Sequence, residues 1–158
     1  MGQYKCSGNY GASLMPAKLA KKAGYPVPLF LDPKEHKYID EFGTSNFLAI
    51  TEDGKYVTSD SPSILPSVTN MSLMEVARDL GMTVEKRPIV AEEELPTFKE
   101  VCACGTAVVI TPISSVTIHG KTITYGNECG PVSKKLYDIL TGIQYGELED
   151  THNWMFEI

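Results

Sequence analysis

One helical pattern set among strand-like runs constrains this chain more than any other feature. Over residues 69–80, Leu73, Val76, Ala77 and Leu80 recur at the spacing of a single helix face. Ser67 or Thr69 can cap the start of that helix, and Gly81 can end it. Ahead of it, residues 46–51 and 55–58 predict a hairpin, because Asp53-Gly54 supplies residues that tolerate positive φ. Behind it, residues 83–90 predict a further strand. A helix with one apolar face needs a partner to cover it, and strands on either side supply a sheet. The expected class is therefore α/β, or mixed α+β.

The rest of the chain fits the same alternation. Residues 13–23 predict a helix ended by Gly24, with Pro16 in its first turn or kinking it. Residues 27–31 predict a buried strand stopped by Asp32-Pro33. A short acidic helix is expected over 92–98, a strand over 108–110, and a second hairpin over 116–125 turning at His119-Gly120. Pro131 then opens a last helix that runs through Val132, Leu136, Ile139 and Leu140 towards Gly146. No repeat, low-complexity segment or Ser/Gly-rich linker divides the 158 residues, so residues 1–158 are read as a single domain with a core of its own.

Composition excludes some function classes. A net charge of -6 argues against non-specific binding to nucleic acid, which needs excess cations to neutralise phosphates. A small anion is still compatible, since backbone amides at a helix start bind phosphate without net positive charge. No apolar run has the length of a membrane span and no signal-peptide pattern opens the chain, so no membrane partner is expected. Cys6, Cys102, Cys104 and Cys129 form no CxxC pair, and His36, His119 and His152 are scattered. No metal site is expected, and the cysteines read as free thiols of a reducing cytoplasm.

Several residues could carry chemistry. Lys5 alone would be an ordinary solvated cation near a terminus; the sharper reading is a Schiff-base lysine, which burial or a nearby cation would have to deprotonate. Glu41, just before Gly43-Thr44, is by itself a turn carboxylate. Facing a pyridine nitrogen it would keep that nitrogen protonated. Tyr10 alone reads as a core aromatic. Ile64-Leu65-Pro66-Ser67-Val68-Thr69 runs into a helix start, which is either plain capping or a cup of free amides for an anion. Gly105-Thr106-Ala107, ahead of a strand, could bracket the same anion.

Each signal is weak alone. As an ordered set, Lys5-Cys6-Ser7-Gly8-Asn9-Tyr10, Glu41-Phe42-Gly43-Thr44-Ser45-Asn46, residues 64–69 and Cys104-Gly105-Thr106-Ala107 resemble the C-terminal half of a fold-type IV pyridoxal-phosphate enzyme, a branched-chain amino-acid aminotransferase. The run from Glu35 to Glu41 and the ending Leu140-Thr141-Gly142-Ile143-Gln144-Tyr145-Gly146, followed by Glu149-Asp150 and Trp154, are similar to that subfamily too. The resemblance covers essentially the whole chain. It implies the C-terminal pseudo-barrel domain of the D-amino-acid aminotransferase-like fold, with pyridoxal 5'-phosphate as cofactor. It also implies transfer of the amino group of leucine, isoleucine or valine to a 2-oxo acid, usually 2-oxoglutarate, and a homodimer in the full-length family.

By the same resemblance, Lys5 forms the internal aldimine and moves the proton, Tyr10 meets the ring phenolate, and Glu41 meets the pyridine nitrogen. Leu65 packs on the ring face; Val68, Thr69 and Thr106 hold the phosphate; Ala107 and Thr44 belong to the substrate carboxylate pocket.

The chain also departs from the pattern. Ser7 and Ser67 stand where glycine is usual, and Asn70 where arginine is usual. Serine at a position needing φ > 0 would be strained, so altered phosphate affinity is expected. Val108 and Thr111 occupy the places of a CxxC pair found in some members, so no thiol switch is expected. The smaller N-terminal domain of the family is absent from this sequence, which predicts a mobile Lys5, exposed apolar surface at the junction and weak or no turnover. The alternatives are another fold-type IV enzyme, such as a D-amino-acid aminotransferase or aminodeoxychorismate lyase, and a cofactor-binding fragment without catalysis.

Overall fold

The computed structural model describes residues 2–156. Its centre is β3 (Ser45–Thr51), whose residues Asn46 to Ile50 are all buried. One edge of β3 pairs antiparallel with β6 (Phe98–Gly105), from Asn46↔Cys104 to Thr51↔Phe98. The other edge is divided. β2 (Ile39–Phe42) pairs with its start at Glu41↔Asn46, and β4 (Tyr56–Ser59) with its later part at Leu48↔Thr58. β1 (Leu29–Leu31) extends the sheet beyond β2, β5 (Val84–Arg87) runs parallel to β4, and β7 (Val109–Pro112) pairs with β6.

The two sheet faces carry two apolar clusters, set by the period-2 alternation of side chains. Leu48, Ile50, Tyr56, Cys102 and Cys104 pack against α3 (Val68–Asp79) and α5 (Pro131–Gln144) through Leu73, Val76, Ala77, Leu136 and Leu140. Phe47, Ala49, Val57, Val101 and Ala103 face the other way, where Phe42, Ile89, Leu95 and Phe98 join them. The separate hairpin of β8 (Ser115–Ile118) and β9 (Lys121–Thr124) covers that side through Val116. The mixed α+β class expected from sequence is the class observed.

Local chemistry explains most elements. Ser67 caps α3 by accepting the Asn70 N–H at 3.2 Å. His119 and Gly120 both take positive φ (47° and 77°), as a tight hairpin turn requires. Ser67 itself has φ -103° and Ser7 lies within α1 (Ser7–Gly11), so the strain expected at these two serines does not arise.

Three expectations need correction. The strand placed over 27–31 is only Leu29–Leu31 and is half-buried, because it lies at the sheet edge. The acidic helix is shorter than expected: α4 spans Ala91–Glu94 and a 3-10 turn spans Leu95–Thr97. Phe98 instead opens β6, where no strand is expected from sequence. Its charged Glu100 hides the pattern, since that side chain is buried (5% exposed) by partners more than thirty residues away.

Candidate functional site

Glu41 is held from two elements. Its register partner Asn46 lies directly across the β2–β3 pair, so both side chains leave the same face of the sheet. Asn46 Nδ2 donates to the Leu65 carbonyl at 2.9 Å and stands 3.5 Å from Glu41 Oε2. The backbone of Leu65 favours the charged form of the Glu41 carboxyl. Leu65 is thus fixed through its carbonyl, and the loop leading into α3 is drawn onto the sheet beside Glu41.

That placement alters the acid. Burial pushes the Glu41 carboxyl up to about 7, the Leu65 backbone opposes the rise, and the neighbouring Asp40 charge adds to it. Asp40 is itself raised by burial, and its Oδ1 has no hydrogen-bond partner among the described residues. A carboxyl shifted into the neutral range on a cavity wall is a candidate for holding or exchanging a proton.

The cavity is about 520 Å³, and Tyr10, Glu41 and Leu65 all line it, with Phe30 and Asp40 beside them. Three of the residues expected from sequence are therefore brought together. Lys5 is not on this wall. It is exposed in the loop before α1, although Tyr4, Gly8 and Asn9 around it do line the cavity. That loop is closed on the Tyr4 carbonyl, which accepts from Cys6 N–H at 2.9 Å and from Asn9 Nδ2 at 2.7 Å. Neither α1 nor α2 (Leu14–Lys22) buries a residue, so the segment carrying Lys5 rests on the surface of the sheet domain.

The remaining expected residues sit nearby but off the wall. Val68 and Thr69 open α3, and their amides precede the first helical bond, from Met71 N–H to the Ser67 carbonyl at 2.9 Å. Such amides lack acceptors inside the helix and lie at the positive end of its dipole. Asn70 fixes this end of the helix to β4, accepting from the Tyr56 hydroxyl at 2.6 Å and donating to Thr58 Oγ1 at 3.0 Å. Thr44 occupies the exposed β2–β3 turn, and Thr106 and Ala107 the exposed β6–β7 turn. The Asn46↔Cys104 register puts both turns at one end of the sheet, where Gly105 lies against the Ser45 side chain.

Sequence reasoning missed Asn46. The available signal was the Gly43-Thr44 turn, which makes residues 41 and 46 a cross-strand pair. Among the described residues no cluster of three or more His, Cys, Asp or Glu could hold a metal, and no helix is long and apolar enough to cross a membrane.

Comparison with known proteins gives this arrangement a family. Branched-chain-amino-acid aminotransferase from Helicobacter pylori is 46% identical over 158 residues, covering 99% of this chain and 46% of that protein. Among solved structures, the branched-chain amino acid aminotransferase of Escherichia coli superposes with a TM-score of 0.85 at 31% identity, over 99% of this chain and 51% of that one. The enzyme of that name from Thermobaculum terrenum, solved in its PLP-form, also gives 0.85 at 31% identity, over 98% of this chain and 49% of that one. The chain spans about half the length of the curated relatives it matches. The family model described as amino-transferase class IV matches residues 3–116, which contain every candidate residue above, and the chain belongs to that family.

Proposed function

We propose that this chain is the C-terminal, cofactor-binding domain of a pyridoxal-phosphate-dependent branched-chain aminotransferase. It would pass the amino group of leucine, isoleucine or valine to 2-oxoglutarate. The observation that carries this reading is Glu41, a carboxyl raised to about 7 on the wall of a cavity that Tyr10 and Leu65 share. The family and the relative solved in its PLP-form support it.

The residues fit the cofactor by their chemistry. A half-buried carboxyl suits a protonated ring nitrogen, a leucine side chain suits a ring face, and a tyrosine hydroxyl suits a phenolate. The helix-start amides suit a phosphate. When bound, pyridoxal phosphate supplies an electron sink for the carbanion left at the substrate α-carbon.

The chain's own groups would do the rest. Glu41 holds a proton at the ring nitrogen, and its carboxylate, disfavoured by burial, gains from the positive charge there. Leu65 shields one ring face from water, and Tyr10 orients the ring. The amides of Val68 and Thr69, with the hydroxyls of Thr69 and Thr106, hold the phosphate. Thr44 and the Ala107 amide receive the substrate carboxylate. Lys5 Nζ takes the proton from the α-carbon and returns it, acting as nucleophile and base. Assembly as a homodimer with a companion N-terminal domain, in a reducing cytoplasm where the four cysteines stay free thiols, completes the reading.

One observation favours a second reading, cofactor binding without turnover: Lys5 is exposed and off the cavity wall. Incubation with pyridoxal phosphate, 2-oxoglutarate and L-leucine, D-alanine or aminodeoxychorismate separates the two. Formation of 4-methyl-2-oxopentanoate from leucine supports the proposal, and saturable binding with no transfer supports the second reading. Activity only on the other two substrates overturns the branched-chain assignment.

A further inference from the structure

The β6–β7 turn presents Thr106 and Ala107 at its exposed tip. Thr106, Ala107 and Val108 are all exposed. Its upstream end is anchored by β6, which pairs with the central strand. Its downstream end is Val109, and that residue is unusual in two respects. Its φ is +63°, the left-handed region, where a β-branched residue is a genuine outlier. Around it the chain closes a three-residue turn, with Ile110 N–H donating to the Val108 carbonyl at 2.8 Å. Turns of this size centred on a positive φ are rare and strained.

What keeps Val109 there is its side chain. It is 9% exposed and belongs to the apolar cluster between the sheet and helices α3 and α5, with Leu73, Cys104 and Leu136. Burial of the isopropyl group opposes the backbone strain, and the Gly105↔Val109 pair fixes where the strain falls. The turn of three exposed residues is thereby held at its downstream end.

We propose that Val109 is a positioning residue: its strained backbone, locked by core packing, presents Thr106 and Ala107 to the anionic groups of cofactor and substrate. The inference rests on the cofactor reading above. Strain persists only where surrounding structure over-determines it, and it clusters at ligand clamps.

Two substitutions separate positioning from plain packing. Val109→Gly removes the side chain and also the strain, because glycine takes this φ freely. Its thermal midpoint should stay near that of the wild type, while the turn loosens. Val109→Ala removes most of the packing that locks the turn but keeps a Cβ in the left-handed region, so it should unfold at lower temperature and loosen the turn as well.

Titrations with pyridoxal phosphate and with pyridoxal, which lacks the phosphate, then read the site. The expected result is about tenfold weaker pyridoxal phosphate binding by Val109→Gly and Val109→Ala alike, with pyridoxal unchanged, although only Val109→Ala loses thermal stability. Equal binding by the wild type and Val109→Gly, or binding losses that follow thermal stability, would overturn the inference. Hydrogen exchange gives a readout independent of the cofactor. In Val109→Gly the Ile110 amide should exchange at least about tenfold faster, with the α3 amides unmoved, and unchanged exchange there overturns the inference. A wild type that binds no pyridoxal phosphate, with Ile110 exchange accelerated in the glycine variant, overturns the cofactor reading and the ligand-directed role of Val109, leaving the strain itself established.

Discussion

Asn46 stands directly across the β2–β3 pair from Glu41, its amide 3.5 Å from the carboxylate and bonded to the Leu65 carbonyl at 2.9 Å. One amide therefore ties the candidate proton-holding acid to the loop that leads into α3. Asn46→Ala should cost about 1 kcal/mol of stability, the usual net loss for one buried hydrogen bond. It should weaken pyridoxal phosphate binding more than pyridoxal binding, because the α3 lead-in is released. Asn46→Asp sets two acids face to face, and urea titration should find it destabilised at pH 8 and recovered near pH 5.

Glu41 should make stability depend on pH. Its folded-state value of about 7 lies above the ordinary 4.5, so the folded state keeps its proton while the unfolded chain releases it. The contribution is fully present below about 4.5 and is lost as pH rises through about 7. At 1.36 kcal/mol per pH unit a fully shielded group would lose ~3 kcal/mol; solvent screening of a half-buried one reduces this to about 1 kcal/mol. Denaturation of Glu41→Gln checks it: the variant should match wild type at pH 4 and exceed its stability at pH 8. A difference of the opposite sign would contradict the burial argument.

A second buried acid has a structural role. Glu100 Oε1 accepts the Val132 N–H at 3.1 Å, and Oε2 accepts the Ser133 N–H at 2.8 Å and the Ser133 hydroxyl at 2.5 Å. It satisfies the first turn of α5 from the middle of the central sheet pair and favours the positive end of that helix. Glu100→Ala should cost about 2–4 kcal/mol in urea unfolding, whereas Ser133→Ala, which leaves the backbone bond intact, should cost about 1 kcal/mol.

The thiols should fall into two classes. Burial pushes Cys102 and Cys104 up to about 12, so their thiolates are scarce at neutral pH. Cys6 is exposed and Cys129 partly so. A timed maleimide reaction followed by peptide mapping should modify Cys6 first, Cys129 more slowly, and Cys102 and Cys104 only after denaturation.

The elements legible in the sequence were those fixed by local chemistry. The α3 helix carries its own period and a Ser67 cap, and the β8–β9 hairpin its own His119-Gly120 turn. The β6 strand was not legible, because Lys99 and Glu100 interrupt its apolar run and the reason for Glu100 lies at residues 132 and 133. The same division runs through the site. Glu41 and Leu65 are marked by their motifs, whereas Asn46 gains its meaning from hairpin register and Val109 from a backbone angle. Lys5 is exposed, as its place near a terminus suggests by itself, whereas the way Tyr4, Gly8 and Asn9 around it line the cavity is encoded by no local pattern.

The most direct measurement is titration of the purified chain with pyridoxal phosphate, then borohydride reduction and peptide mapping. The account predicts a saturable visible absorbance band from a lysine adduct, with the reduced label on Lys5. Label scattered over surface lysines, with no saturable band, would contradict it.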